Sequence, residues 1–277
     1  MRGRYVVAAG GLVALALGLA PRPSDAQRSL APATPSGETA NPVFEGWYRN
    51  PDGTFSLSFG YFNRNESEVV AIPVGRENFI TPGDSNQGQP THFYPRRHWG
   101  VFAVKVPADF GENRVVWTVT IRGKTFAIPG SLQRDWQIDA LEGEAGSDNT
   151  PPELQFDDAG AVARGPAGIT TETRTATVGK PLTIAVIAKD DGKSTGIVRT
   201  GVPTTITWFT HQGPSQVKFG TPTAKLTPTG GKTSTTATFD RPGDYVVRVR
   251  ANDSGVATAG HSQCCWTNAF VKVRVTP

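Results

Sequence analysis

The sequence is poor in the residues that most often carry chemistry. Only four histidines occur, at positions 92, 98, 211 and 261, and no two of them are spaced as a paired metal-binding motif. A catalytic zinc site needs about three protein ligands brought together, and no acid, base and nucleophile set converges in the sequence either. We therefore expect no enzyme activity and no cofactor.

A long apolar run is also missing. The longest, residues 5–20, is shorter than the roughly 20 residues of a membrane-spanning helix, and it follows two arginines. Small residues, Ser24 and Ala26, occupy the positions that signal peptidase reads, so residues 1–26 are predicted to be a signal peptide. We expect a secreted or periplasmic protein that is not inserted in the membrane after cleavage.

Clustered charge is the third absence. Removal of the signal peptide leaves 25 basic and 23 acidic residues, and the basic residues are scattered along the chain. A nucleic-acid-binding protein would show a basic patch or stripe, so we expect no nucleic-acid partner. A protein and a polysaccharide are the partner classes that stay open, and so does the oligomeric state.

What the chain has in abundance is the two-residue apolar period of half-buried strands. Apolar side chains alternate with small or polar ones over residues 55–61, and the turn-forming residues 50–53 precede them, which predicts a hairpin. A second hairpin is predicted from the alternation over residues 115–121 and the turn at Gly123. Residues 43–140 are therefore predicted to form a β-sandwich.

Residues 27–42 lack apolar bulk and periodicity and are predicted to be a flexible leader. Residues 141–168 are rich in glycine, aspartate and proline and are predicted to be a linker. A second β-sandwich is predicted for residues 169–277. The fold class is thus all-β, with two immunoglobulin-like antiparallel β-sandwich domains in tandem after the signal peptide.

The strand before Asn252 shows the alternation most clearly. Tyr245, Val247 and Val249 are predicted to face the core of the second sandwich, and Arg248 and Arg250 are predicted to face outward.

Four segments of the second half resemble bacterial PKD and related immunoglobulin-like modules. They are Val178-Gly179-Lys180-Pro181-Leu182, Ala188 to Gly192, Thr205 to Trp208 and Phe239 to Asp253, and the resemblance covers residues 150 to 277. It implies a spacer, adhesion or binding module, with Trp208 as the core tryptophan and Tyr245 as a tyrosine corner whose hydroxyl bonds nearby backbone.

The first half is similar, over a shorter stretch, to bacterial proteinase-inhibitor-like β-sandwich modules. The match consists of Phe93 to Arg97 leading into Val101 to Val104. We carry no inhibitory function over from a match of this length.

One long polar segment, residues 78–99, interrupts the strands of the first half. Long loops in compact domains are often functional, and aromatic, amide and guanidinium groups together suit the binding of a sugar or a protein. The candidate binding residues are His92, Phe93, Tyr94, Arg96, Arg97 and Trp99. The alternative is that this loop wraps an edge of the sandwich, with His92 and His98 solvated.

Two further patterns match a functional motif but also fit ordinary loops. Residues 192–196 match the G-x-S-x-G nucleophile elbow, but no helix is predicted after them, so we expect a loop. Asp190, Asp191 and Asp253 could meet at one end of the second sandwich and bind calcium through carboxylates, and the alternative is a pair of acidic turns.

Cys264 and Cys265 are the only cysteines of an exported chain, where thiols are usually paired. Adjacent Cα atoms lie about 3.8 Å apart, closer than ordinary disulfides prefer, so a bridge between the two would be strained. We predict this vicinal bridge. The alternatives are an interchain disulfide, two free thiols, and copper bound by both cysteines with His261.

These features predict an exported, non-catalytic binding or scaffold protein of the cell envelope or the extracellular space. The alternative is an accessory module of a secreted enzyme system, directed to carbohydrate. A copper-binding or hydrolytic protein is the minor alternative.

Overall fold

The computed structural model describes residues 34–142, 148–194, 201–253 and 265–277. Within these ranges the chain is all-β, and its only helical element is one 3-10 turn at Arg134–Trp136. The all-β class predicted from the sequence is confirmed for the part of the chain that the structure describes.

Eight strands build what we call the N-terminal module. They are β1 (Ala40–Arg49), β2 (Phe55–Asn63), β3 (Val70–Ala71), β4 (Asn78–Thr81), β5 (His92–Phe93), β6 (Arg96–Val106), β7 (Val115–Ile121) and β8 (Lys124–Gly130). β1, β2 and β6 form one sheet, β4, β7 and β8 form a second, and β3 pairs with β5. Both predicted hairpins are present, as β1–β2 and β7–β8.

The core of the N-terminal module is aromatic. The ring centroids of Phe59 and Phe102, on the first sheet, lie 5.5 Å apart, and the Phe102 ring lies 5.1 Å from that of Trp117 on the second sheet. All three side chains are buried. Since each large aromatic side chain removes a large apolar area from water, this cluster holds the two sheets face to face.

Ten strands build the C-terminal module. They are β9 (Glu153–Gln155), β10 (Ile169–Thr170), β11 (Arg174–Thr177), β12 (Leu182–Lys189), β13 (Thr205–Gln212), β14 (Lys218–Phe219), β15 (Thr223–Lys225), β16 (Gly230–Thr238), β17 (Gly243–Asn252) and β18 (Trp266–Thr276). One sheet has the order β10-β18-β17-β13-β15, with β11 also on β18, and the other has the order β14-β16-β12-β9.

The core of the C-terminal module follows the predicted alternation. Tyr245, Val247 and Val249 of β17 are buried, as are Trp208 of β13 and Ile184 of β12. These residues come from both sheets, so the second core also lies between two facing sheets.

The structure departs from the sequence-based expectations in pairing and in boundaries. Only antiparallel pairs are expected from the sequence, but β10 and β11 pair with β18 in parallel. These two strands run alongside the last strand of the chain in the same direction. β9 pairs with β12 although it lies within the segment predicted to be a linker. Residues 34–39, predicted to belong to the leader, already bond to the chain after β2, for example from Glu38 N–H to Asn65 Oδ1 at 2.7 Å.

Candidate functional site

The candidate binding residues of the 78–99 segment lie where the two modules meet. The segment is not one loop, since it contains β4, β5 and the start of β6. His92 and Phe93 on β5 are buried, and the Tyr94 hydroxyl accepts a hydrogen bond of 3.0 Å from Thr210 N–H of the C-terminal module. Tyr94 therefore contacts the protein's own second module, whereas Phe93 packs against Tyr61 and Trp117 in the core of the N-terminal module.

The expectation that His92 and His98 are solvated is wrong. Burial lowers the pKa of His92, and it lowers the pKa of His98 and of His211 to about 3. The His98 Nε2 donates to the Pro95 carbonyl at 3.1 Å, and the His211 Nε2 donates to the Gly88 carbonyl at 2.6 Å. Both imidazoles are thus neutral at physiological pH and serve as structural donors.

The remaining three candidates are exposed, in the case of Arg96, or partly exposed, in the case of Arg97 and Trp99. The Arg97 guanidinium lies 2.7 Å from a carboxylate oxygen of the buried Glu45 and 3.8 Å from the centre of the Trp99 ring. Arg96 forms an exposed ion pair with Glu66 at 3.0 Å. The structure therefore does not bring the six candidates together as one exposed binding surface, and their role in binding stays a prediction.

We call the contact between the modules the seam; it joins residues 86–101 to β13, β17 and β18. Backbone takes part in it, since Thr91 N–H donates to the His211 carbonyl at 2.7 Å. The Gln212 side-chain amide donates to Asn86 Oδ1 at 2.9 Å and to the Gln89 carbonyl at 2.6 Å. The seam is thus hydrogen-bonded like the interior of a domain.

A buried arginine lies at the centre of the seam. Arg248 is 1% exposed, its guanidinium carbon lies 4.4 Å from the centre of the Phe209 ring, and its bonds to the Val101 carbonyl and to Asn268 Oδ1 are long, at 3.4 and 3.5 Å. Burial lowers the pKa of Arg248 to about 9 and also lowers that of Arg250. The two arginines do point away from the core of the C-terminal module, as predicted. They do not reach solvent freely, because the N-terminal module covers that face.

Asn268 and Gly100 form a second anchor of the seam. Asn268 Nδ2 donates to the Gly100 carbonyl at 2.7 Å and to the Pro166 carbonyl at 2.9 Å. Gly100 has a φ of 44°, and a Cβ atom there would lie 2.8 Å from Trp266 Nε1. A glycine is therefore required where β6 approaches β18. Sequence reasoning missed both residues, because a single asparagine and a single glycine give no signal of a contact 168 positions apart.

A cleft opens along one side of the seam. Its volume is about 340 Å³, with buried Phe102 and Phe270 in its floor and Asn86, Gln212 and Lys272 among the residues around it. This volume lies near the lower end of the range of about 300–1,000 Å³ found for small-molecule sites. The cleft is the described cavity that both modules line together.

The acidic residues of the C-terminal module approach one another at one end of its sheets. Burial and the neighbouring Asp190 raise the pKa of Asp253 to about 8, and burial is also the main cause that raises the pKa of Asp190 to about 6. Asp253 is fully buried, and a hydrogen bond with the Asn149 side chain is among the causes that lower its pKa. Both carboxyl groups of the pair nevertheless hold their protons to a higher pH than ordinary aspartates do.

Asp191, the third residue of the predicted calcium site, has its own partners. Its carboxylate accepts bonds from the Lys193 N–H at 2.8 Å and from the Thr150 hydroxyl at 3.1 Å. In the part of the chain that the structure describes, no group of three or more histidine, cysteine, aspartate or glutamate residues is arranged to hold a metal ion. Calcium binding thus stays a prediction that depends on Asp190 and Asp253.

The cysteine and nucleophile-elbow predictions fall partly outside the described residues. Cys264, His261 and residues 195–196 are not described. Cys265 is buried and disulfide-bonded, and its Sγ lies 3.3 Å from the Asn149 carbonyl oxygen. The vicinal bridge stays a prediction, whereas a disulfide-bonded Cys265 has no thiolate to offer, which counts against two free thiols and against copper bound by both cysteines.

No helix in the described ranges has the length and apolar character needed to cross a membrane.

Comparison with known proteins gives no family. No protein-family model matches the chain, and no curated protein matches it. Among solved structures, the chain is similar to the crystal structure of domains 4 and 5 of the S-layer protein SbsC, at 11% identity and a TM-score of 0.24, covering 86% of this chain and 98% of that one. A TM-score this low carries no argument about function.

Proposed function

We propose that the chain is an exported, non-catalytic binding or scaffold protein of the cell envelope or the extracellular space, in which two immunoglobulin-like β-sandwiches act as one rigid body. The observation that carries the proposal is the seam. Modules joined by a linker alone move relative to each other by default, unless a substantial interface holds them. Here Arg248, Asn268 and His211 are all buried between the modules and bonded across them.

Rigidity of this kind suits a protein that holds a binding surface at a fixed distance and angle. The resemblance of residues 150–277 to PKD and related modules supports a spacer or binding role, and the Tyr245 hydroxyl donates to the Arg241 carbonyl at 3.0 Å as that resemblance implies. The apolar N-terminal segment before Gln27 supports export. The alternative is an accessory, carbohydrate-directed module of a secreted enzyme system.

Cell fractionation tests the proposal. The full chain is expressed in its source organism with a C-terminal tag, and the tagged protein is recovered from cytoplasm, envelope and medium for N-terminal sequencing. The proposal predicts recovery outside the cytoplasm with Gln27 as the first residue. Cytoplasmic protein that retains Arg2, or hydrolysis of envelope polymers by the purified protein, would contradict it.

One observation favours a second candidate function, the binding of a hard cation. The carboxylates of Asp190 and Asp253 are oxygen ligands of the kind that Ca²⁺ takes. Two acidic groups held close together and away from water are stabilised either by a shared proton or by a bound cation. The residues present fit such an ion because two carboxyl groups are held close together at a buried position, where burial raises the pKa of each.

Calorimetric titration of the full chain with CaCl₂ tests this candidate. Binding is expected for the unmodified chain and for D158N, which changes an exposed aspartate, and it is expected to be lost in D253N. Equal binding by D253N, or none by the unmodified chain at pH 8.5, would exclude the site.

A further inference from the structure

Trp136 is the most exposed large apolar side chain in the described part of the protein. It is 48% exposed, and Val162, at 44%, comes next among the described large apolar side chains. Every other described tryptophan is at least partly buried. An exposed aromatic ring offers apolar area that a ligand can remove from water when it binds.

The Trp136 ring packs on a stack of aromatic rings of the N-terminal module. Its ring centroid lies 5.8 Å from that of Phe44, which in turn lies 5.3 Å from the core ring of Phe59. Gly130 makes room for this stack, because a Cβ atom there would lie 2.8 Å from Phe59 and 2.9 Å from Phe44. We call the Trp136 ring, which packs on this aromatic stack, the platform.

The backbone next to the platform is held by hydrogen bonds. The Gln133 carbonyl accepts hydrogen bonds from Trp136 N–H at 3.0 Å and from the indole Nε1 of Trp47 at 2.7 Å. The first of these bonds belongs to the 3-10 turn that ends in Trp136, and the second ties that turn to β1. A ligand that binds here meets a preorganised surface, and so loses less free energy in ordering the protein.

A groove runs past the platform. Two cavities share Arg114, Ser131 and Gln133 among their lining residues. Trp136 lines the cavity of about 430 Å³, and Glu112 lines the cavity of about 460 Å³. We call these five residues, with Phe44, the platform groove. Each cavity falls in the size range of small-molecule sites, about 300–1,000 Å³.

The groove offers hydrogen-bonding groups of both kinds without a net charge. Arg114, Gln133 and Glu112 are exposed, and within the described residues neither Arg114 nor Glu112 takes part in an ion pair. A guanidinium supplies donors, a carboxylate supplies acceptors and an amide supplies both. Their charges cancel, so the groove suits a ligand that is polar but uncharged.

The walls of the groove are unsuited to a peptide strand. β1 and β8 are edge strands in the described sheets, and an edge strand binds a peptide through its free backbone N–H and C=O groups. Pro42 of β1 and Pro129 of β8 line the groove, and proline has no N–H to donate. Recognition in this groove must therefore come from side chains.

We propose that the platform groove binds a chain of uncharged sugar units, with one sugar ring packed on Trp136. A sugar ring presents an apolar face of C–H bonds, which packs on an aromatic ring, and a rim of hydroxyl groups, which need both donors and acceptors. The proposal rests on the proposed function, of which it names the ligand class.

An array of printed uncharged oligosaccharides tests the proposal, followed by calorimetric titration of the best-bound oligosaccharide into the full chain. W136A is expected to bind about fivefold more weakly, since an aromatic contact contributes about 1 kcal/mol. W136F retains a ring and is expected to keep most of the affinity. V162A, which changes the other exposed apolar side chain, is expected to bind like the unmodified chain.

The unfolding midpoint of each variant is measured first, and only variants that fold as the unmodified chain does are compared. No binding on the array, equal binding by W136A, or selection of a peptide from a peptide library through Trp136 would overturn the proposal. If the protein is exported and retained in the envelope but binds no oligosaccharide, the platform groove fails while the proposed function stands. If the protein is cytoplasmic, the proposed function fails whatever the array shows.

Discussion

At the scale of single residues, Arg248 shows how a correct local pattern can lead to a wrong environment. Its alternation with Val247 and Val249 correctly predicts that it points away from the core of its own module. The same pattern is found on strands that face water, so it carries no information about the second module that covers this face. Residue type also argues against burial of Arg248, because an arginine is rarely buried without a carboxylate partner.

The contacts of Arg248 predict an asymmetric response to mutation. A buried charge with only long hydrogen bonds contributes little net stability, and an apolar side chain of similar volume often replaces it without loss. We expect R248M to unfold in urea with a free energy within about 1 kcal/mol of the unmodified chain. R248A leaves a cavity and is expected to be less stable than R248M by about 2 kcal/mol or more. Equal losses in both variants would show that the guanidinium itself holds the seam.

The Asp190–Asp253 pair predicts a pH dependence of stability. Both pKa values, about 6 and about 8, are higher in the folded chain than the usual value near 4. The folded state therefore keeps protons that the unfolded state releases, and this contribution to stability is full below about pH 4 and is lost as the pH rises to about 8.

Comparison of D253N with the unmodified chain isolates this contribution, because the buried histidines titrate in both proteins. In chelating buffer, we expect D253N to gain stability relative to the unmodified chain by more than about 1 kcal/mol between pH 5 and pH 8.5. Urea unfolding at the two pH values measures the change. A difference that does not vary with pH would mean that Asp253 ionises as an ordinary carboxyl group.

At the scale of secondary-structure elements, sequence predicts what is local. The β1–β2 and β7–β8 hairpins have short turns and long alternating strands, so both the strands and their pairing could be predicted. The short strands β3, β5 and β10 have two residues each, too few to show a period. They exist because distant strands supply their hydrogen bonds, which is information that no local window contains.

The turn that leads into β17 allows a test at this scale. The Tyr245 hydroxyl bonds the Arg241 carbonyl at 3.0 Å and the Ser215 hydroxyl at 2.8 Å, and its ring packs 4.8 Å from that of Phe239. We expect Y245F to lose about 1 kcal/mol of unfolding free energy, because the Arg241 carbonyl loses its donor while the ring stays. S215A removes only the second partner and is expected to lose less. A Y245F variant as stable as the unmodified chain would mean that the turn forms without the hydroxyl.

At the scale of the whole molecule, the sequence predicts two β-modules but not the seam. The polar and aromatic residues of the 78–99 segment indicate a binding surface, and the structure shows that much of what they contact is the chain's own second module. Sequence reasoning could not distinguish an internal partner from an external one, since both require the same amides and aromatics. The platform groove was missed for a related reason: Arg114, Gln133 and Trp136 are an unremarkable set until the fold places them side by side.

The central claim is that the seam makes the two modules one rigid body. Hydrogen exchange across a urea titration, read by mass spectrometry for β2 and β7 of the N-terminal module and for β12 and β17 of the C-terminal module, tests it most directly. The account predicts that all four strands lose protection together, in one transition with a single midpoint. Two transitions at separate urea concentrations, one for each module, would contradict it and would support the two independent domains that the sequence alone predicts.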